Sequence, residues 1–131
     1  MKSREGLIRL KRFHVEEKRR QVAQIETMIA EFERMAKELG DQIHTEQERS
    51  GIRDTSHFAY PTFAKAAMQR RENLLASASE LREQLATAQA EHAEAAEELA
   101  KSEAIAERDH SRDIGAVHEA PRIRNVSAAA R

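Results

Sequence analysis

Apolar residues fall at Val22, Ile25, Ile29, Phe32, Ala36, Leu39 and Ile43, in steps that alternate between three and four. That is a 3.5-residue repeat held for three heptads, and it turns one side of an α-helix into a narrow apolar seam. Such a seam has to be covered by a second helix. The same phase runs backwards through Lys18, Val15, Lys11 and Ile8, so lysine takes two of the four earlier positions and the seam weakens toward the N-terminus. Leu7, Leu10 and Phe13 lie beside it as a second apolar strip.

The covering helix is supplied downstream. Ala67, Arg71, Leu74, Ala78, Leu81, Leu85, Ala88, His92, Ala95, Leu99, Ser102 and Ala106 repeat with the same spacing, in a seam thin with alanine. Ser50-Gly51-Ile52-Arg53-Asp54-Thr55-Ser56 is the break between the two, since Gly51 can take the left-handed conformation that ends a helix. Pro61 is tolerated in the first turn of the second helix. The fold class is therefore all-α, with helices over residues 4–49 and 61–110 around a turn at 50–60. Each helix is on the order of 70–75 Å long at about 1.5 Å per residue. Equal helices around a short break form an antiparallel coiled-coil hairpin.

A register in which paired numbers add to about 110 sets Phe32 near Ala78, Ile29 near Leu81 and Val22 near Ala88, large residues against small. It also sets Lys18 opposite His92. Gly40 is a soft spot inside the first helix, costing about 1 kcal/mol relative to Ala. Ser3 is a plausible N-cap, with Glu5 in the first turn. Glu5–Arg9, Glu16–Arg20 and Glu33–Lys37 are expected as i,i+4 ion pairs on a solvated outer face. Phe58, Tyr60 and Phe63 gather at the turn, either as a cap closing the hairpin end or as an exposed docking knob. After His110 the apolar period dissolves, and residues 111–131 read as a mobile tail. Asn125-Val126-Ser127 matches a glycosylation sequon only formally.

Composition narrows the function classes. The 131 residues are 34% charged, with four Phe, one Tyr and no Trp, which leaves little for a thick core and suits a long-helix protein. Without cysteine there is no disulfide and no thiolate metal site. No apolar run approaches the roughly 18–20 residues needed to cross a bilayer, and no secretory signal is expected. The expectation is a soluble cytoplasmic protein.

Charge is segregated. Residues 1–20 hold eight Lys or Arg against three Glu, whereas residues 61–110 hold six Lys or Arg against ten acids. The N-terminal end is a basic handle for an acidic protein, an anionic surface or nucleic acid. Nucleic acid is the poorer fit, because stacking aromatics do not interleave the basic residues.

No catalytic constellation emerges. The six histidines include no i,i+4 pair and no neighbouring ligand set. There is no Gly-rich phosphate loop, and a two-helix fold offers no deep pocket. Neither enzymatic activity nor a cofactor or metal is expected.

Three stretches go further. Leu7-Ile8-Arg9-Leu10-Lys11-Arg12-Phe13, Glu17-Lys18-Arg19-Arg20-Gln21-Val22-Ala23-Gln24-Ile25-Glu26 and Met28-Ile29-Ala30-Glu31-Phe32-Glu33 resemble the first helix of the FliJ family of flagellar export proteins. The turn His57-Phe58-Ala59-Tyr60-Pro61-Thr62-Phe63-Ala64-Lys65-Ala66 looks like the alphaproteobacterial version of that family and is the more specific part. The resemblance covers about residues 1–110. It implies a small cytoplasmic component of the flagellar type III export apparatus, peripheral to the inner membrane at the flagellar base. It also implies a hairpin similar to the stalk of rotary ATPases. Such a hairpin inserts into the ring of the export ATPase FliI, contacts the export gate FlhA and handles export chaperones.

On that basis Arg9, Arg12, Arg19 and Arg20 are expected to carry ATPase contact, with Leu10 and Phe13 docking beside them. Leu75 and Ile105 are the off-seam apolar candidates for the gate. A plain scaffolding coiled coil, or an export chaperone without ATPase coupling, fits composition and periodicity equally well.

Overall fold

The computed structural model describes the backbone of residues 2–129 and the side chains of residues 3–115. Two helices make up the chain, α1 (Lys2–Ser50) and α2 (Thr62–Ala129), in the expected antiparallel hairpin. It divides into two compact units. Unit 2 is Lys18–Glu91, and unit 1 joins Met1–Glu17 with His92–Arg131.

Among the described residues, unit 2 holds most of the buried apolar side chains. Ile29, Ala36 and Ile43 of α1 are buried, as are Ala64, Ala67, Ala78, Leu81 and Ala88 of α2. These are the 3.5-period positions, with branched side chains on α1 set against mainly alanine on α2. The cross-helix contacts follow the expected register. Lys18 Nζ lies 2.8 Å from Glu91 and Arg82 lies 3.2 Å from Glu33, so α2 numbers fall as α1 numbers rise. Lys18 thus spends its charge on Glu91. Glu33 reaches across to Arg82 rather than along its own helix to Lys37, because the cross-helix guanidinium is within reach. Within α1, Arg34 is held between Glu31 and Glu38, and Arg49 pairs with Glu46 at 2.8 Å. These contacts with Arg34 lower the pKa of Glu31, chiefly through the guanidinium hydrogen bond.

Arg71 keeps the seam spacing but not its burial. A Cβ on Gly40 would sit 3.3 Å from Arg71 Nε, so the missing side chain at Gly40 lets the exposed arginine lay its side chain against α1. Gly40 does not interrupt α1. Met68 instead lies half-buried beside Gly40 and Ile43.

The turn of unit 2 is built from local hydrogen bonds. Gly51 takes φ 71° and donates its N–H to Gln47 O at 2.9 Å, ending α1 as its missing Cβ allows. Asp54 Oδ1 accepts from the Ser56 amide (3.0 Å) and hydroxyl (2.7 Å), which holds its carboxyl below the usual value. Pro61 precedes α2 and accepts its first helical bond, from Lys65 N at 3.1 Å. The aromatics divide two ways. Tyr60 is buried, with Gln47 Nε2 donating to its hydroxyl (3.0 Å) and the hydroxyl donating to Met68 Sδ (3.4 Å). Phe58 is 97% exposed and stacks on His57 at 4.8 Å. The turn is both a plug and a knob.

Unit 1 is filled differently. Among its described residues only Ile8 and Ala95 are buried apolar side chains. Lys11, on the seam, donates to Ser102 Oγ at 2.7 Å and lies 3.9 Å from Glu98. Arg4 pairs with Asp109. α1 begins at Lys2, so Ser3 lies within the first turn rather than capping it.

Two boundaries differ from the pattern. Pro61 falls just outside α2, and the helix continues past His110 to Ala129. What stops near His110 is burial, for Ser111–Gly115 are all exposed. Backbone hydrogen bonds are local and need no apolar period to continue. The side chains of Asn125-Val126-Ser127 lie outside the described residues, as do Ala130 and Arg131 altogether.

Candidate functional site

The expected partner-binding residues separate by unit. Arg9, Leu10, Arg12, Phe13 and Ile105 belong to unit 1, while Arg19, Arg20 and Leu75 belong to unit 2. No single site containing all of them is described.

In unit 1 the heptad phase orders the surface. The seam positions Ile8, Lys11 and Val15 leave Arg12 on one flank of α1 and Leu7 on the other. On the first flank Arg12 Nη2 lies 2.9 Å from Glu103 Oε2. Arg12 is therefore a paired surface cation. A pair this exposed contributes about 0–1 kcal/mol, so a stronger external acid could still recruit the guanidinium. Arg9 is exposed and sits on the back of α1, one turn before Phe13.

The opposite flank is apolar. Leu7 is 49% exposed, Leu10 63% and Phe13 55%, and Ile105 of α2 is 46% exposed. In an antiparallel pair the flank residues preceding each seam position face one another across the groove. Leu7 precedes Ile8, and Ile105 precedes Ala106. The Lys11–Ser102 contact sets these two at the same height within about a turn. Ile105 thus stands at the height of Leu7, while Leu10 lies further round α1 and Phe13 on its back, away from α2. Leu7, placed with the strip by sequence but not among the expected binding residues, belongs to the same surface. The signal that joins them is the cross-helix register, which single-helix periodicity does not display.

In unit 2 Arg19 and Arg20 are exposed, and Arg19 makes an interaction with a neighbouring group. Leu75, at 37% exposure, borders the seam without entering it.

Among the described residues no group of three His, Cys, Asp or Glu is placed to hold a metal ion. No helix there is long and apolar enough to cross a membrane. Compared with protein-family models, curated proteins and solved structures, the chain matches none.

Proposed function

We propose that the chain is a stalk-like component of the flagellar type III export apparatus. On this reading it couples the export ATPase FliI to the export gate FlhA and assists chaperone handling at the inner face of the membrane. The support is the resemblance of residues 1–110 together with an antiparallel two-helix fold of the kind that family uses. The observation that carries the reading is the exposed strip Arg9, Leu10 and Phe13 on the basic N-terminal segment. Large apolar side chains beside a cation, left uncovered by a hairpin that has already buried its seam, are what a docking element requires. Arg19 and Arg20 extend the basic character along α1. The chain acts by contact and carries out no chemistry of its own.

The test is a pull-down of the full chain with the export ATPase of the same organism. The double variant Arg9→Glu, Arg20→Glu should lose the ATPase while keeping wild-type helicity by circular dichroism. Retention of the ATPase by that variant counts against these arginines. Failure of the wild-type chain to bind, while fully helical, favours a scaffolding coiled coil.

A further inference from the structure

The turn of unit 2 folds back twice in succession. Residues 54–57 form one turn, closed by the His57 amide donating to Asp54 O at 3.1 Å. Residues 57–60 form the next, closed by the Tyr60 amide donating to His57 O at 3.0 Å. Each turn is braced by its first side chain. Asp54 Oδ1 accepts from the Ser56 amide and His57 Nδ1 accepts from the Ala59 amide, both two residues on and both at 3.0 Å. Asp and Asn commonly supply this brace. The second turn has an imidazole in that place.

A proton acts differently on the two acceptors. The Asp54 carboxyl is held below its usual range, chiefly by the Ser56 hydroxyl, so it remains an acceptor throughout the neutral range. An imidazole nitrogen accepts only while it carries no hydrogen, so the bond from Ala59 places the His57 proton on Nε2. Histidine is the side chain whose charge changes between about pH 5 and 8, and its charged form carries hydrogen on both nitrogens. A hydrogen on Nδ1 would point at the Ala59 N–H and break the brace.

The second brace holds Phe58, whose ring is 97% exposed and stacks on the His57 ring with 4.8 Å between centroids. The chain on either side is fixed without the imidazole. Ser56 is bound to Asp54, and Tyr60 is buried with its hydroxyl between Gln47 and Met68. Loss of the brace is therefore confined to Phe58 and Ala59. Among the charged groups about the turn, Asp54 acts on His57 electrostatically. At the end of α1, Arg53 is paired with Glu48, which lies 3.8 Å from His44. Lys65, in the first turn of α2, is exposed.

We infer that His57 is a proton-operated latch, which fixes the Phe58 knob when neutral and frees it when protonated. The latch rests on the turn's own hydrogen bonds and does not require the export reading.

The experiment is NMR of the isotope-labelled full chain between about pH 8 and about pH 5. At the upper pH the His57 ring nitrogens should show the Nε2–H tautomer, with the Ala59 amide protected from exchange with water relative to its intrinsic rate. At the lower pH that protection should fall at least threefold, while the Ser56 and Tyr60 amides keep theirs. His57→Asn, whose side-chain oxygen accepts without titrating, should keep Ala59 protected at both ends of the range. His57→Ala should lose the protection at both, and His44→Gln should leave the wild-type dependence intact. The tautomer and the wild-type pH dependence stand without any variant. An Nδ1–H tautomer at the upper pH overturns the inference. So does equal protection of Ala59 across the range, or the same fall in His57→Asn, which would assign the dependence to another group.

Discussion

The two units use one heptad scheme and fill it with different residues. In Lys18–Glu91 the seam is branched aliphatic against alanine, and the charges that cross it, Lys18–Glu91 and Glu33–Arg82, lie beside an apolar interior. In the unit of residues 1–17 and 92–131 the seam itself carries Lys11 against Ser102 and Arg4 against Asp109, while larger apolar side chains than those it buries stand outside it. The difference teaches that one heptad spacing can carry either an apolar seam or a polar one, with the unburied apolar side chains displaced to the outer faces. Unit 2 fills its seam with apolar side chains and leaves Phe58 and Phe63 exposed at its turn, whereas unit 1 places polar side chains on the seam and leaves apolar ones outside it.

The largest expected effect comes from deleting seam volume. Ile29→Ala should cost about 2–3 kcal/mol in denaturant unfolding, as truncation of a buried aliphatic does. Ile8→Ala should cost less than half as much, because its seam neighbour Lys11 is polar and local opening there leaves unit 2 folded. Equal costs would break the comparison. In the opposite direction, Lys11→Leu should stabilise the chain by about 1 kcal/mol, since an apolar residue replaces a partly desolvated charge. The same measurement checks it, and a loss of stability would mean that the Ser102 contact outweighs burial.

Gly40→Ala sharpens the account of unit 2. Helix propensity favours the alanine by up to about 1 kcal/mol. The methyl meets only the flexible end of Arg71. A modest rise in melting temperature is expected, and a fall would show that Arg71 cannot yield. The smallest effect is the pH dependence of the turn. Asp54 has its folded pKa lowered by the Ser56 hydroxyl and amide from an ordinary value of 3.8. Its contribution is present above that value and is lost as pH falls through the lower folded pKa. Carboxyl NMR titration should show Asp54 titrating below free aspartate, with Ser56→Ala moving it back up.

Much of this was legible beforehand, for physical reasons. A 3.5 period carries the seam from Val22 to Ile43, and its extension through Lys18, Val15, Lys11 and Ile8 is where α1 is buried or half-buried. Ala64, fully buried, continues the α2 spacing one step before Ala67, so the seam begins nearer the turn than Ala67. Arg71 kept the spacing yet is exposed, its side chain passing over Gly40, which spacing alone does not show. The helix beyond His110 carries no amphipathic signal, because an apolar period reports packing and not backbone hydrogen bonding. For the candidate site, the strip Leu7, Leu10 and Phe13 could be read from one helix. That Ile105 stands at the height of Leu7 needed the register between two.

Hydrogen–deuterium exchange along the full chain, alone and with the export ATPase, tests the central claim most directly. The free chain should protect residues 22–43 and 67–88 most strongly and exchange quickly beyond residue 110. On adding the ATPase, protection should rise at residues 7–14 and 101–108 and stay unchanged at the 55–63 turn. Protection that appears at the turn alone, or nowhere, would contradict the assignment of the open apolar flank as the docking surface.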